Sequence, residues 1–563
     1  LRVANTYFGR FIRLLSVFQA SFARVFLLLF FAVALSHLTT LRLPYFWDEG
    51  GYYIPAALDF YHTGQLVPHF TNAHPPLPNV VLGLLWHVVG FHILATRLIV
   101  CAFAAAGLLA VFRLTQRLLG DAAAVTVTIL TLVYPIWFAQ SSLAHADIFA
   151  AAFTLWAFAW YFGAGTHTEP KRQLWVAVLF ALAALSKETS IVQPAALAAL
   201  QVALLIRDRQ SPTLRSEHLR WIAALSFPLL PLVAWYAYHH HVTGFTFGNP
   251  EYLRYNATAN FTVGHVLQAL RYRFLHLFWQ RNIWVPIILA LACLFLPKLE
   301  PQRLKPRSKS DVRGTAEAVP YRVSLTPQSV EGIDATRLRT IGLLVGANWL
   351  AFSVLGGALL TRYLLPIYPL ILIVCLSVWK ERTRWWPALA AATAAAFITG
   401  LWVNPPTSFA PEDNLTYRNM IVVHQEAIAY VGEHFPNATV LTAWPVAADL
   451  FNPWLGYTTK PIKATSIEDF TLPQIQKAAA EPDRYDTAIV FTTHFVTPSF
   501  RRYLMAHPDS RRGREFAATR DLTPQEIAGM LGGRIVWQDE INGEWAAVLR
   551  FDRAYDARLE VSF

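Results

Sequence analysis

Cysteine is almost missing from this sequence. Three occur in 563 residues, and Cys101, Cys293 and Cys375 all lie inside apolar runs, so they build neither a disulfide framework nor a CxxC metal site. Charge is scarce too: Asp, Glu, Lys and Arg make up 15% of the chain, against 55% hydrophobic residues. Soluble domains do not repeat apolar runs nearly to residue 403, whereas polytopic membrane proteins must. The net charge of +11 does not point to nucleic acid. Its Lys and Arg residues fall in short clusters between apolar runs, not in one basic patch with interleaved aromatics. No short-period repeat is evident.

What is present is a succession of apolar segments, near 22–42, 92–112, 122–140, 148–163, 174–186, 189–206, 221–238, 280–297, 340–360, 363–380 and 385–403, or about eleven spans. Arg10, Arg13 and Arg24 flank the first, and no small-residue cleavage site clearly follows it, which predicts a retained span with its start inside. The run 77–90, "LPNVVLGLLWHVVG", decides the orientation of everything after it. If it lies along the outer surface, the internal loops hold Arg113 and Arg117, Lys171 and Arg172, "RDRQSPTLRSEHLR", the basic loop 298–339 and "KERTR". The outer loop 43–76 then holds no Lys or Arg, as the positive-inside rule requires. We therefore expect 77–90 to be an interfacial helix, with Trp86 and His87 suited to the interface.

Beyond about residue 404 the pattern changes. A helical stretch, "RNMIVVHQEAIAYVGEHF", is followed by the strand-like runs "ATVLTAW", "DTAIVFTTHF", "GRIVWQDEI" and "WAAVLRF". The last two are joined through Asn542-Gly543, a hairpin signal. The expected architecture is thus an all-α polytopic bundle over 1–403, with an outer catalytic loop at 43–91, and a small extracytoplasmic α/β domain over 404–563. The loop 298–339, rich in Lys, Arg, Ser and Pro, reads as a linker with no core of its own. The sequons at Asn256, Asn260, Asn414 and Asn437 all fall on the outer side.

Polar residues collect on that same side. Asp48 and Glu49 stand just after the first span and before "GGYYIPAALDFYHTG", a surface helix with one apolar side. Read alone, Asp48 is a helix N-cap. Asp147, in "SSLAHADIFAAAF", sits at the next outer boundary and admits the same reading. Lys187 and Glu188, in "LSKETS", are at another and admit simple snorkelling into water. Arg362, in "GGALLTRYLLPIYPL", interrupts an apolar stretch at a tight outer turn. An Arg near the bilayer centre costs about 2.5 to 3.5 kcal/mol on insertion scales, so an Arg kept there is functional by default, and its fork suits a phosphate.

Taken in order, "DEGGYY", "HPPL", the Asp of the next outer loop, "SKETS" and "TRYLLPIYPL" resemble the C-type glycosyltransferases that use lipid-linked sugars, in the branch of protein O-mannosyltransferases and aminoarabinose transferases. The resemblance covers roughly residues 20–403. It implies a polyprenyl-phosphate sugar donor and transfer outside the cytoplasm, in a bacterial inner membrane. It also implies Asp48 as catalytic base, with Glu49 and Asp147 positioning the acceptor and the base, and substrate contacts from Tyr52, His74, Lys187 and Arg362. Aminoarabinose-type relatives carry Lys before the Pro-Pro pair; here it is His74, whose neutral imidazole offers less charge to a phosphate.

The chemistry suits these residue types. A sugar phosphate already has a good leaving group, so the site needs a carboxylate for the acceptor proton and cations for the departing phosphate. A single displacement inverts the anomeric centre; a retaining route needs a nucleophilic carboxylate that nothing in the sequence demands. His69, His74, Asp48 and Glu49 leave a divalent metal open, but no HExxH-like spacing is present. A secondary transporter is the alternative class, disfavoured because the charges gather on one face and no inverted repeat is evident; a non-catalytic envelope assembly protein is another. The acceptor, whether glycolipid, glycan or protein, is not readable from the sequence.

Overall fold

The computed structural model describes residues 22–67, 69, 74–163, 169–248, 262–299, 333–355, 359–405, 409–493 and 498–551. Most of the basic loop 298–339, and the sequons at Asn256 and Asn260, lie outside them. The apolar runs carry helices, among them Phe22–Ser36, Ile93–Leu119, Ala146–Tyr161, Glu169–Ser186, Val192–Arg207, Ala335–Val354, Tyr368–Arg382 and Trp386–Gly400. Among the described residues, three helical stretches, Ile93–Leu119, Glu188–Arg207 and Pro212–Thr243, are long and apolar enough to cross a membrane by themselves. A fourth span is reached if the pair Val263–Asn282 and Trp284–Leu294, bent by 92°, is taken as one. Other apolar helices are shorter, and the reason is local. Tyr134, extended ahead of Pro135, divides the run 122–140 into Asp121–Val133 and Pro135–Gln140, because the residue before a proline is pushed out of the helical region.

The run 77–90 forms a helix, Leu77–Val89, of 13 residues. At 1.5 Å per residue it is about 20 Å long, short of a bilayer core. It packs on the Ile54–Thr63 helix, with Trp86 edge-on to Tyr61 and Gly83 against Phe60, and leaves Leu84, Val88 and Val89 exposed. The helix Val263–Phe278 has no counterpart among the expected spans. Arg271, Arg273, His265 and His276 break its apolar pattern, yet Arg273 is fully buried and donates through Nη1 to the Leu360 carbonyl at 2.6 Å.

The C-terminal unit is a five-stranded mixed sheet in the order β2-β1-β3-β5-β4. Strands β1 (Val440–Ala443), β2 (Ala464–Ile467) and β3 (Thr487–Phe491) run parallel, while β4 (Gly533–Ile541) and β5 (Glu544–Phe551) form an antiparallel hairpin. That hairpin turns at Asn542 and Gly543, whose φ angles of 54° and 92° are the left-handed values a two-residue turn requires. The Thr416–His434 helix packs on the hairpin, and its Tyr430 hydroxyl donates to the Val536 carbonyl at 3.3 Å. Strand β2 was not apparent from sequence: four residues, Ala464 to Ile467, none of them fully buried, carry little alternation.

The sheet unit is seated on the loop that follows the Phe22–Ser36 helix. The Tyr45 amide donates to the Leu455 carbonyl at 3.0 Å. Gly51 admits the Trp444 indole so closely that a Cβ at 51 would stand 3.0 Å from Cζ2, and Trp444 meets Trp47 edge-on at 4.7 Å. Asp48 therefore lies where the two parts of the chain meet.

Candidate active site

The site begins with an irregular turn. After the first helix the chain passes through Trp47, whose φ of 42° is unusual for a bulky residue, and enters a π-helical turn, Glu49–Tyr53, that runs straight into Ile54–Thr63. Asp48 occupies the N-cap of this turn but makes no side-chain capping bond. Its carboxylate instead accepts from Nη2 of Arg362. Successive side chains on a helical turn point about 100° apart, so Glu49 faces elsewhere. It is fully buried, and its carboxylate takes Arg97 in an ion pair, the Ala144 amide at 2.6 Å and the Phe46 amide at 2.8 Å. Arg97 also donates to the carbonyls of Ser142 and Pro44, at 2.7 and 2.9 Å. Glu49 thus ties together the loop that carries Asp48 and the loop that leads to Asp147.

Arg362 is the centre of the polar network. It sits in the short turn Thr361–Leu364, 3% exposed, between a described stretch that ends an apolar helix and the Tyr368–Arg382 helix. Nη2 meets Asp48, Nη1 meets Glu412 at 2.5 Å, and Nε lies 3.3 Å from Oδ2 of Asp147. Asp147 is in the first turn of Ala146–Tyr161, where His145 takes the N-cap, and its Oδ1 accepts from Lys187 Nζ at 2.6 Å. Lys187 Nζ also stands 3.7 Å over the Tyr363 ring. Two cations and three carboxylates from five separated stretches of chain are therefore joined in one buried group. Such charges persist out of water only because each is paired.

The remaining residues expected from sequence border this group. His74 is buried, with Nδ1 3.0 Å from Glu188 Oε2, and its ring stacks on Tyr53 at 5.8 Å. Tyr53 faces His145 on another side, at 5.7 Å. Tyr52 is half-buried in the π-helical turn. A cavity opens beside Arg362 and Lys187, lined by Asp147, Gln193, Phe352 and Tyr363. His69 is drawn off to Asp59 at 2.9 Å, so His69, His74, Asp48 and Glu49 each face a different partner. Among the described residues, no three His, Cys, Asp or Glu side chains are grouped to hold a metal ion.

Several members had not been singled out from sequence. Glu412 comes from the turn Pro411–Asp413, beyond the apparent end of the bundle. Burial raises its carboxyl to about 7, with Arg362 pulling the other way and Asp48 and Asp413 adding to the rise. Asp413, likewise raised by burial, accepts from the Thr361 hydroxyl and so fixes the residue next to Arg362. Nothing in "APEDN" signals this reach. Arg97 did carry a signal, the one applied to Arg362: it interrupts the apolar run "HILATRLIVCAF". Arg281 is buried, with all three guanidinium nitrogens lacking hydrogen-bond partners among the described residues, and lies over the Phe409 ring at 4.9 Å.

Residues 73–235 match the family model described as dolichyl-phosphate-mannose-protein mannosyltransferase. The match makes that stretch of the chain similar to the mannosyltransferases of this family. The fold is similar to that of ArnT from Cupriavidus metallidurans. The crystal structure of ArnT bound to undecaprenyl phosphate aligns with a TM-score of 0.50 at 14% identity, over 93% of this chain and 97% of that one. The archaeal oligosaccharyltransferase AglB from Archaeoglobus fulgidus, in complex with an inhibitory peptide and a dolichol-phosphate, aligns with a TM-score of 0.41 at 10% identity, over 95% of this chain and 75% of that one. No curated protein matches the chain in sequence.

Proposed function

We propose that this membrane glycosyltransferase moves a sugar from a polyprenyl-phosphate donor to an acceptor hydroxyl on the extracytoplasmic face, in the bacterial inner membrane. The observation that carries the reading is the Asp48–Arg362 pair. It joins a carboxylate that is 21% exposed to a guanidinium that is 3% exposed, at the junction of the bundle and the sheet unit. The likeness of fold to a protein bound to undecaprenyl phosphate supports a lipid phosphate as the donor's handle.

In this reading the acceptor hydroxyl arrives from the exposed side of Asp48 and gives its proton to that carboxylate. The acceptor oxygen bonds to the anomeric carbon as the bond from that carbon to the phosphate oxygen breaks, and polyprenyl phosphate leaves. One displacement of this kind inverts the anomeric centre. Arg362 and Lys187 supply positive charge beside the phosphate, already fixed before the reaction begins, which is what makes such charge effective. Phosphate reaches Arg362 by taking the place of Glu412, the carboxylate most easily neutralised by a proton. Asp147 holds Lys187 and Arg362 in relation to each other. Glu49, sealed behind the turn, acts by holding the loop in place.

Purified protein supplied with a polyprenyl-phosphate sugar and a mixture of envelope glycolipids and glycans should release polyprenyl phosphate. A chain that releases none while still transporting a solute would belong to the transporter class instead. Single cysteines at His62 and Arg382, in a background lacking the three native ones, should react with an impermeant reagent from outside at His62 only.

A further inference from the structure

His145 is a member of the site whose chemistry the transfer leaves unused. It is fully buried between Tyr53 and the Gln140 side chain. The hydrogen bonds around it fix its tautomer. The side-chain amide of Gln140 donates through Nε2 to the Glu412 carbonyl at 3.2 Å, and a carbonyl can only accept, so the other end of that amide is its oxygen. That oxygen lies 2.9 Å from His145 Nδ1, which must therefore carry the ring proton. Nε2 is left as a bare lone pair, buried, with no hydrogen-bond partner among the described residues.

Leaving a buried acceptor unsatisfied is destabilising, so its retention calls for a partner that arrives from outside the chain. That partner is a hydrogen-bond donor, not a proton. Burial, together with the positive charges of Arg362, Lys187 and Arg97, holds the imidazole neutral, well below the ordinary histidine range. A bound phosphate brings only acceptor oxygens and cannot serve. An acceptor substrate approaching from the exposed side meets Asp48 first.

We propose that His145 Nε2 accepts a hydrogen bond from one hydroxyl of the transferred sugar, making His145 a specificity-determining residue for the donor. The inference rests on the polyprenyl-phosphate donor reading and deepens it. Through the chain Glu412 carbonyl, Gln140 amide, His145 ring, the segment that places Glu412 on Arg362 also sets the direction of this lone pair.

The test compares binding of polyprenyl-phosphate mannose, its four monodeoxy analogues and sugar-free polyprenyl phosphate to the intact protein and to His145→Leu. The intact protein should bind one monodeoxy analogue roughly ten- to a hundred-fold more weakly than the parent. In His145→Leu that difference should vanish, while affinity for sugar-free polyprenyl phosphate stays unchanged. Equal binding of the parent and all four analogues by the intact protein overturns the proposal, and this arm needs no variant to fold. So does a preference that survives in His145→Leu, or an equal loss of affinity for the sugar-free lipid, which marks a merely structural role. Failure of the intact protein to bind even the sugar-free lipid would instead bring down the donor reading, and this inference with it.

Discussion

Arg362 and Asp48 stand 314 residues apart in sequence and meet in a direct ion pair, Nη2 to Oδ2, while the neighbouring Nη1 of the same guanidinium is taken by Glu412. The pair joins the loop after the Phe22–Ser36 helix to the turn Thr361–Leu364 through one charged contact. The Asp48 side chain remains 21% exposed, whereas that of Arg362 is 3% exposed.

If Asp48 is the base, Asp48→Asn should depress turnover by about a hundred- to ten-thousand-fold while donor binding changes little. Asn fills the same volume and caps a helix as well as Asp does. A capping role therefore predicts near-normal transfer in a reconstituted assay, and that result would remove Asp48 from the chemistry.

Glu49 should behave differently from its neighbour. Because its carboxylate is buried with Arg97 and two backbone amides, Glu49→Ala leaves an uncompensated guanidinium in the interior, a loss of about 3 to 5 kcal/mol. The expected outcome is a lower unfolding temperature in detergent and poor yield, rather than a folded protein with slow turnover. A fully stable Glu49→Ala protein would show that the loop is held by other contacts.

Donor binding should depend on pH through Glu412. With a carboxyl raised to about 7 by burial, against Arg362 and with Asp48 and Asp413 alongside, Glu412 is neutral below that pH and yields Arg362 to a phosphate. Above it, the ionised carboxylate competes. Affinity for a polyprenyl-phosphate sugar, a phosphodiester of constant charge, should fall between about pH 6 and 8.5, and Glu412→Gln should flatten the profile. An unaltered profile in that variant would assign the titration to another group.

The sheet unit carries its own pH dependence. Glu544 on β5 is buried, with Oε2 lacking a hydrogen-bond partner among the described residues, and burial, with Glu540 adding to it, lifts its carboxyl from 4.5 to about 8. A carboxyl raised on folding favours the folded state at low pH. Its contribution is complete below about 4.5 and is lost as pH rises through 8, on the order of 5 kcal/mol at most. Thermal unfolding of the whole chain should therefore occur at lower temperature at high pH than near neutrality, and Glu544→Gln should reduce the difference.

Much of the architecture follows from sequence because it depends on local chemistry. Apolar runs must form helices in a bilayer, since a backbone there can satisfy its polar groups only internally, and the apolar segments up to residue 403 do carry helices. Asn542-Gly543 turns a hairpin because those residues tolerate positive φ. Asp48, Asp147, Lys187 and Arg362 could be singled out because a charge at the end of an apolar segment needs a reason to be there. Their partners could not. Whether Asp48 caps a helix or meets Arg362, and whether Glu49 faces substrate or Arg97, depends on how a π-helical turn aims two adjacent side chains, and sequence carries no periodicity for that. Glu412 joins the site only because the segment after the last apolar helix folds back over it, and His145 acquires a bare lone pair only through the amide that Glu412's own carbonyl orients. Contacts of such long range are decided by packing of the whole chain, and that is where the tertiary structure alone speaks.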